Sequence, residues 1–216
     1  MIRLDKVTKF YPSNLGDQYI FRDLSFDIPG GHNIAILGSN GSGKSTLFRL
    51  IAGSEYPSSG RIITDLTLSW PVALATGIHP EMTGRENARF IGRVNGVTDL
   101  AAYEERIKLF SGLGIHFDLF VRDYSSGMRS RLAFACSISI DFDVYLIDEV
   151  TSVGDANFRK RAKDALQRIS DHSNVIMVSH QMSELRKFCD SAIVLDKGEL
   201  TFYNDLEEGI ERYQAL

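Results

Sequence analysis

Nine residues near the start of the chain, GSNGSGKST at positions 38–46, have the spacing G-x-x-x-x-G-K-[ST]. Glycines let a backbone curl until successive N–H groups face inward onto phosphate oxygens. Lys44 can reach the terminal phosphates of a nucleoside triphosphate, and the Ser45 hydroxyl can ligate Mg²⁺. The apolar run HNIAILG before the loop predicts a buried strand. The segment KSTLFRLIAGS after it predicts a helix, with Leu47, Leu50 and Ile51 on one face and Gly53 ending it. That helix aims its positive end at the loop. The candidate phosphate contacts are Gly38, Ser39, Asn40, Gly41, Ser42, Gly43, Lys44, Ser45 and Thr46.

A second chemical segment is VYLIDE at 144–149, four apolar residues followed by Asp148 and Glu149. A buried strand ending in aspartate matches a Walker B element, whose carboxylate helps to hold Mg²⁺. Glu149, one residue on, suits the polarisation of a water that attacks the γ-phosphate. Taken alone this is a solvated acidic turn; with the phosphate loop it becomes a site at the sheet's carboxyl edge. His180 follows another apolar strand, NVIMVSH, which predicts an imidazole beside the same phosphate. His32, His79, His116 and His172 show no metal-ligand spacing, so zinc is not expected.

The elements that must position these groups alternate between strand and helix. MIRLDKVTKFY and YIFRDLSFDI read as strands of an antiparallel sheet, and SSGRIITDLTLSW as a hairpin or short strand pair. From 83 to about 114 the pattern turns helical and polar, which predicts a subdomain. The alternation resumes with a strand at 144–147, a helix from about Asp155, a strand at Asn174–Val178, a helix from about Met182 and two short strands. Leu206, Ile210 and Tyr213 share the face of a last helix, with Asn204 or Asp205 as its N-cap. Such alternation implies a mainly parallel sheet covered on both faces. Residues 70–83 read as neither helix nor strand.

With 216 residues, 44% of them apolar, the chain has enough material for a core, and a net charge of −4 gives no electrostatic case for nucleic acid. Cys136 and Cys189 lie in no disulfide-dense or CxxC pattern, which favours a reducing compartment. No secretory signal or membrane span is expected.

GSNGSGKST, YSSGM, VYLIDE, SVGD and SH stand in the order found in ATP-binding-cassette ATPases, which the chain resembles over essentially its whole length. The resemblance implies an α/β P-loop NTPase fold. It would have a mainly parallel core sheet, an N-terminal antiparallel β-subdomain and a helical subdomain (about 83–140) inserted into a single domain spanning 1–216. It implies a head-to-tail homodimer in which Ser125, Ser126 and Gly127 cap ATP held on the partner copy's phosphate loop. Tyr11 would stack on adenine, and Asp155 in SVGD would lie in the loop that links the two ATP sites. The turn departs from the usual Leu-Ser-Gly-Gly-Gln at Tyr124, Ser126 and Met128, while Ser125 and Gly127 are kept. The Q-loop glutamine is absent, since no Gln occurs between Gln18 and Gln167.

SWP, TGREN, YSSGMRSRLAF and DEVTSVGDANF resemble the ATP-binding subunits of polysaccharide exporters, the short capsular type above all. This implies an ATPase that uses ATP and Mg²⁺, is peripheral on the cytoplasmic face of the bacterial inner membrane, and works with an integral membrane permease to export polysaccharide. The alternatives are an O-antigen or teichoic-acid exporter ATPase, whose usual C-terminal extension has no room here, or a soluble non-transport cassette ATPase.

Overall fold

The computed structural model describes residues 1–14, 16–72, 77–148 and 154–216. The chain begins with β1 (Ile2–Tyr11) and β2 (Gln18–Ile28), which pair antiparallel. Leu4 opposes Phe26 and Val7 opposes Leu24, so β1 carries one extra residue between these pairs. This bulge re-phases the strand: Ile2, Leu4 and Val7 all face the core while Lys6, at φ 50°, turns outward. A second bulge on β2 is marked by Asp23 at φ 52°.

β3 (Ile34–Leu37) is buried throughout and runs into the glycine-rich loop and α1 (Lys44–Ile51). β4 (Ser59–Thr64) then pairs antiparallel with the other edge of β1, giving the order β2-β1-β4. The segment 58–70 is therefore not a hairpin. Beyond Thr64 the chain does not turn back on β4: Leu68 makes an isolated parallel bridge to Val144, and Ser69 Oγ accepts from the N–H of Leu146 at 2.8 Å. Strand alternation is equally compatible with either partner, and the buried backbone of 144–148 supplies the hydrogen bonds. Trp70 packs edge-on against Phe142, with ring centroids 5.6 Å apart.

After α2 (Gly84–Val94), α3 (Leu100–Ser111) and α4 (Ser126–Ile138) come β5 (Val144–Asp148), α5 (Ala156–His172), β6 (Asn174–Val178) and α6 (Met182–Phe188). β7 (Ser191–Asp196), β8 (Glu199–Tyr203) and α7 (Leu206–Gln214) complete the fold, and Asp205 caps α7 by accepting from Glu207 and Glu208 N–H. The larger sheet has the order β5-β6-β3-β7-β8, parallel except for β8. Among the described residues no helix is long and apolar enough to cross a membrane.

The chain divides into two compact units. The first comprises Met1–Pro71, Phe142–Asp148 and Ile169–Leu216. Its core joins Leu4, Val7 and Phe21 of the small sheet to Leu47, Phe48 and Ile51 of α1 and to Ile36, Leu146 and Ile176 of the large sheet.

The second unit is built on Val72–Asp141 and includes α5 as far as Arg168. Its centre is aromatic: Phe110, Phe134 and Phe158 stand 5.7–5.8 Å apart, centroid to centroid. Tyr103 is fully buried and donates its hydroxyl to the carbonyl of Cys136. Thr83 and Glu86 form a reciprocal capping box at the start of α2. Glu104, only 5% exposed, receives guanidinium hydrogen bonds from Arg89 at 2.6 Å and Arg85 at 3.1 Å.

Burial pushes the Glu104 carboxyl up, but the hydrogen bonds from Arg89 and Arg85 outweigh it and hold it below its usual 4.5. A carboxyl lowered on folding stabilises above its unfolded value, and that stability is lost as pH falls through the folded one. Glu104→Gln should therefore destabilise the chain by about 2 kcal/mol at neutral pH, between a surface and a fully buried pair. In urea unfolding series the gap between variant and parent should close as pH drops below about 4.

Candidate functional site

Strand register brings the candidate groups of the first unit together. Ala35 of β3 and Ile147 of β5 both pair with Met177 of β6, and Asp148 pairs with Val178. The carboxyl ends of three neighbouring strands are thus level. From that one edge emerge the phosphate loop after Leu37, the carboxylate of Asp148, and His180 two residues beyond Val178. Neighbouring strands lie about 4.8 Å apart, so β3 and β5 flank β6 at about 10 Å from one another.

The loop's glycines have identifiable reasons. A Cβ on Gly38 would sit 2.6 Å from the carbonyl oxygen of Leu195, so the backbone passes β7 at a distance only glycine allows. Gly43 has φ 108°, and a Cβ there would meet Ile20 of β2 at 2.6 Å. Among the described residues no side chain caps α1, which starts directly after Gly43. Its first-turn N–H groups are thereby left to an anion. The Lys44 ammonium folds back onto the carbonyls of Gly38 and Ser39 at 2.6 and 2.9 Å, and burial lowers its pKa. Ser42 Oγ is buried and has no hydrogen-bond partner among the described residues.

These features fit a phosphate chain: first-turn N–H groups without a side-chain cap, an orphaned hydroxyl, and an ammonium resting on loop carbonyls. Ser39, Asn40, Gly41 and Ser45 are exposed, and Asp148 is half-buried. A hydroxyl and a carboxylate oxygen are the hard donors that Mg²⁺ takes alongside phosphate. Thr46 differs from the rest. It is buried, and its Oγ1 lies 3.4–3.5 Å from Arg49 Nη2 and the Tyr11 hydroxyl, on the side of β1 rather than of the loop.

Tyr11 ends β1, with its hydroxyl held by Glu55 and Arg49. His180 is exposed, and Glu149 lies outside the described residues. Sequence reasoning missed the Lys9, Arg49 and Glu55 group around Tyr11, because its members sit in separate elements and no spacing links them.

The remaining candidates belong to the second unit, each with a local structural role. Ser125 is the N-cap of α4, its Oγ accepting from the N–H of Met128 at 3.2 Å. Ser125 and Ser126 are exposed. A Cβ on Gly127 would meet nothing closer than 3.9 Å. Asp155 caps α5, accepting from the N–H of Phe158 at 2.9 Å, and this backbone hydrogen bond lowers its carboxyl pKa. Tyr124, where the usual turn has leucine, is 4% exposed and donates its hydroxyl to the His116 carbonyl at 2.6 Å. Burial raises its pKa to about 12. The neighbour that admits this ring is Gly84, where a Cβ would lie 2.4 Å from the Tyr124 hydroxyl.

The family model described as ABC transporter matches residues 21–152, more than half of the chain. The chain belongs to the ABC transporter family. This cassette is 46% identical to the polysialic acid transport ATP-binding protein KpsT of Escherichia coli, over 99% of both chains. It is 41% identical to the capsule polysaccharide export ATP-binding protein CtrD of Neisseria meningitidis serogroup B, over 100% of both. In fold it is similar to a dimeric post-hydrolysis state of the ATP-binding cassette MJ0796 bound to ADP and Pi. That likeness has a TM-score of 0.76 at 22% identity and covers 95% of this chain and 99% of that one.

Gly127→Ala separates packing from ligand contact at the signature turn. Among the described residues nothing opposes the methyl group, and alanine is the better helix former, so urea unfolding should show stability unchanged or raised by up to about 1 kcal/mol. If the turn caps a phosphate, as the family resemblance implies, ATPase activity should nonetheless fall, and unchanged activity would count against that role.

Proposed function

We propose that this cassette is the ATP-hydrolysing subunit of an exporter for capsular or other cell-surface polysaccharide. Two copies work head to tail with an integral membrane permease at the cytoplasmic face of the membrane. One observation carries the reading: the two capsule-type relatives align with the chain over essentially their full lengths. The phosphate cradle at the sheet edge supports the ATPase half of it.

In this reading Lys44 and the first-turn N–H groups of α1 hold the β- and γ-phosphates. Ser45 and Asp148 hold Mg²⁺, which supplies charge neutralisation on the phosphates when bound. Glu149 orients the attacking water, and His180 donates toward the γ-phosphate as charge develops. Ser125, Ser126 and Gly127 of a second copy close the site, with Asp155 in the loop between the two ATP sites. Catalysis comes from position and electrostatics, without a covalent intermediate. The helical subdomain, inserted into a single ATP-binding domain, transmits closure to the permease.

Glu149→Gln should keep ATP binding while slowing turnover at least ~100-fold, and should trap a dimer visible by size exclusion with ATP. Hydrolysis at the parental rate would remove Glu149 from its role. For the transport half, the tagged chain should be purified from its host in mild detergent. Recovery of a multi-spanning membrane protein, with loss of surface polysaccharide when the chain is deleted, is the expected result. Recovery with soluble partners alone and an intact capsule would move the cassette to the non-transport class.

A further inference from the structure

We propose that Glu55, together with Arg49, positions the ring of Tyr11 for the nucleotide base by gripping the phenol hydroxyl. The inference rests on Tyr11 being the base-stacking residue and adds the part of the chain that sets the ring's plane.

The geometry is specific. The Tyr11 hydroxyl donates to Glu55 Oε1 at 2.8 Å and accepts from Arg49 Nη2 at 3.2 Å, with Thr46 Oγ1 at 3.5 Å. The same carboxylate receives Arg49 Nε on Oε2 at 2.9 Å and pairs with the Lys9 ammonium at 2.7 Å. Lys9 also donates to the Tyr56 carbonyl at 2.9 Å and stands 5.1 Å from the Tyr11 ring centroid. One ring face is thus taken by an ammonium, and in this proposal the base stacks on the other.

Glu55 and Lys9 are 21% and 11% exposed, so the pairing is shielded from water. Burial pushes the Glu55 carboxyl up, but hydrogen bonds from Lys9, Tyr11 and Arg49 outweigh it and hold it at about 2. The carboxylate therefore stays charged throughout the working pH range.

A ring at the end of a strand has two free torsions, and a hydroxyl fixed at its tip removes both. A platform ordered in advance loses less freedom when the base arrives. Arg49 and Thr46 lie on α1, so the clasp also sets the distance from ring to phosphate loop. A purely structural tie between β1 and the end of α1 would use the same charges, but it would not sense whether the ligand carries a base.

The test uses the full chain and two ligands, ATP and inorganic tripolyphosphate, the latter as a competitor of ATP hydrolysis. Tyr11→Phe and Glu55→Ala should each raise KM for ATP about fivefold, with kcat and the inhibition constant of tripolyphosphate unchanged. The double variant should be no worse than the poorer single, because both remove one contact. Tyr11→Leu should cost about tenfold or more in KM.

If Tyr11→Leu leaves KM for ATP unchanged, Tyr11 is no base platform and the proposal falls with that reading. If Tyr11→Leu weakens ATP while Tyr11→Phe and Glu55→Ala do not, the platform stands and the clasp is refuted. Equal loss for ATP and tripolyphosphate, or a fall in kcat, would reduce Glu55 to a structural tie. Should Glu55→Ala fail to fold, Tyr11→Phe decides alone.

Discussion

The chemistry of this cassette hangs on the parallel register of β5, β6 and β3. Backbone hydrogen bonds set Met177 between Ile147 and Ala35, so three chain segments leave the sheet at one level. None of the three could adjust alone. A shift of one residue moves a strand end by about 3.3 Å and reverses its side chains, which would take Asp148 out of level with the end of β3. The apolar strands resist such a slip because β3 and all of β5 but Asp148 are buried. Core packing and site geometry are here one requirement.

The two units use different means to present their polar groups. In the first, close backbone passage does the work: Gly38 lies against Leu195 and Gly43 against Ile20, so the loop is pressed into shape by β7 and β2. In the second, an aromatic core of Phe110, Phe134 and Phe158 anchors α4 and the start of α5, and serine or aspartate caps finish the helix ends. Ser125 and Asp155 are also residues singled out from the family resemblance. A hydroxyl or carboxylate already spent on its own helix can still aim that helix's N–H groups outward.

What the sequence made legible was local. The glycine loop, β5, β6 and α7 are announced by continuous apolar runs, special glycines and an aspartate cap, all within a few residues of the structure they specify. Partner choice was not legible. The stretch 58–70 alternates as a hairpin would, yet β4 pairs with β1 and Leu68 reaches Val144, because alternation states that a strand exists and not what it pairs with. The bulges at Lys6 and Asp23 also escaped, since a non-glycine residue at positive φ leaves no compositional mark. Thr46 was read as a phosphate contact from its place in the motif, and in the structure helical phase brings its hydroxyl to Tyr11.

The Tyr124 and Gly84 contact bears on how signature turns can be exchanged between cassettes. The phenol fills space that exists only because position 84 lacks a Cβ, and its hydroxyl is a second donor to the His116 carbonyl beside the Leu119 N–H. A leucine grafted at 124 would take from that carbonyl one of its two donors, leaving the Leu119 N–H, and would open a void over Gly84. Tyr124 in the turn therefore has a packing reason of its own. It is half of a matched pair, and an inherited change at either position would select for a compensating change at the other.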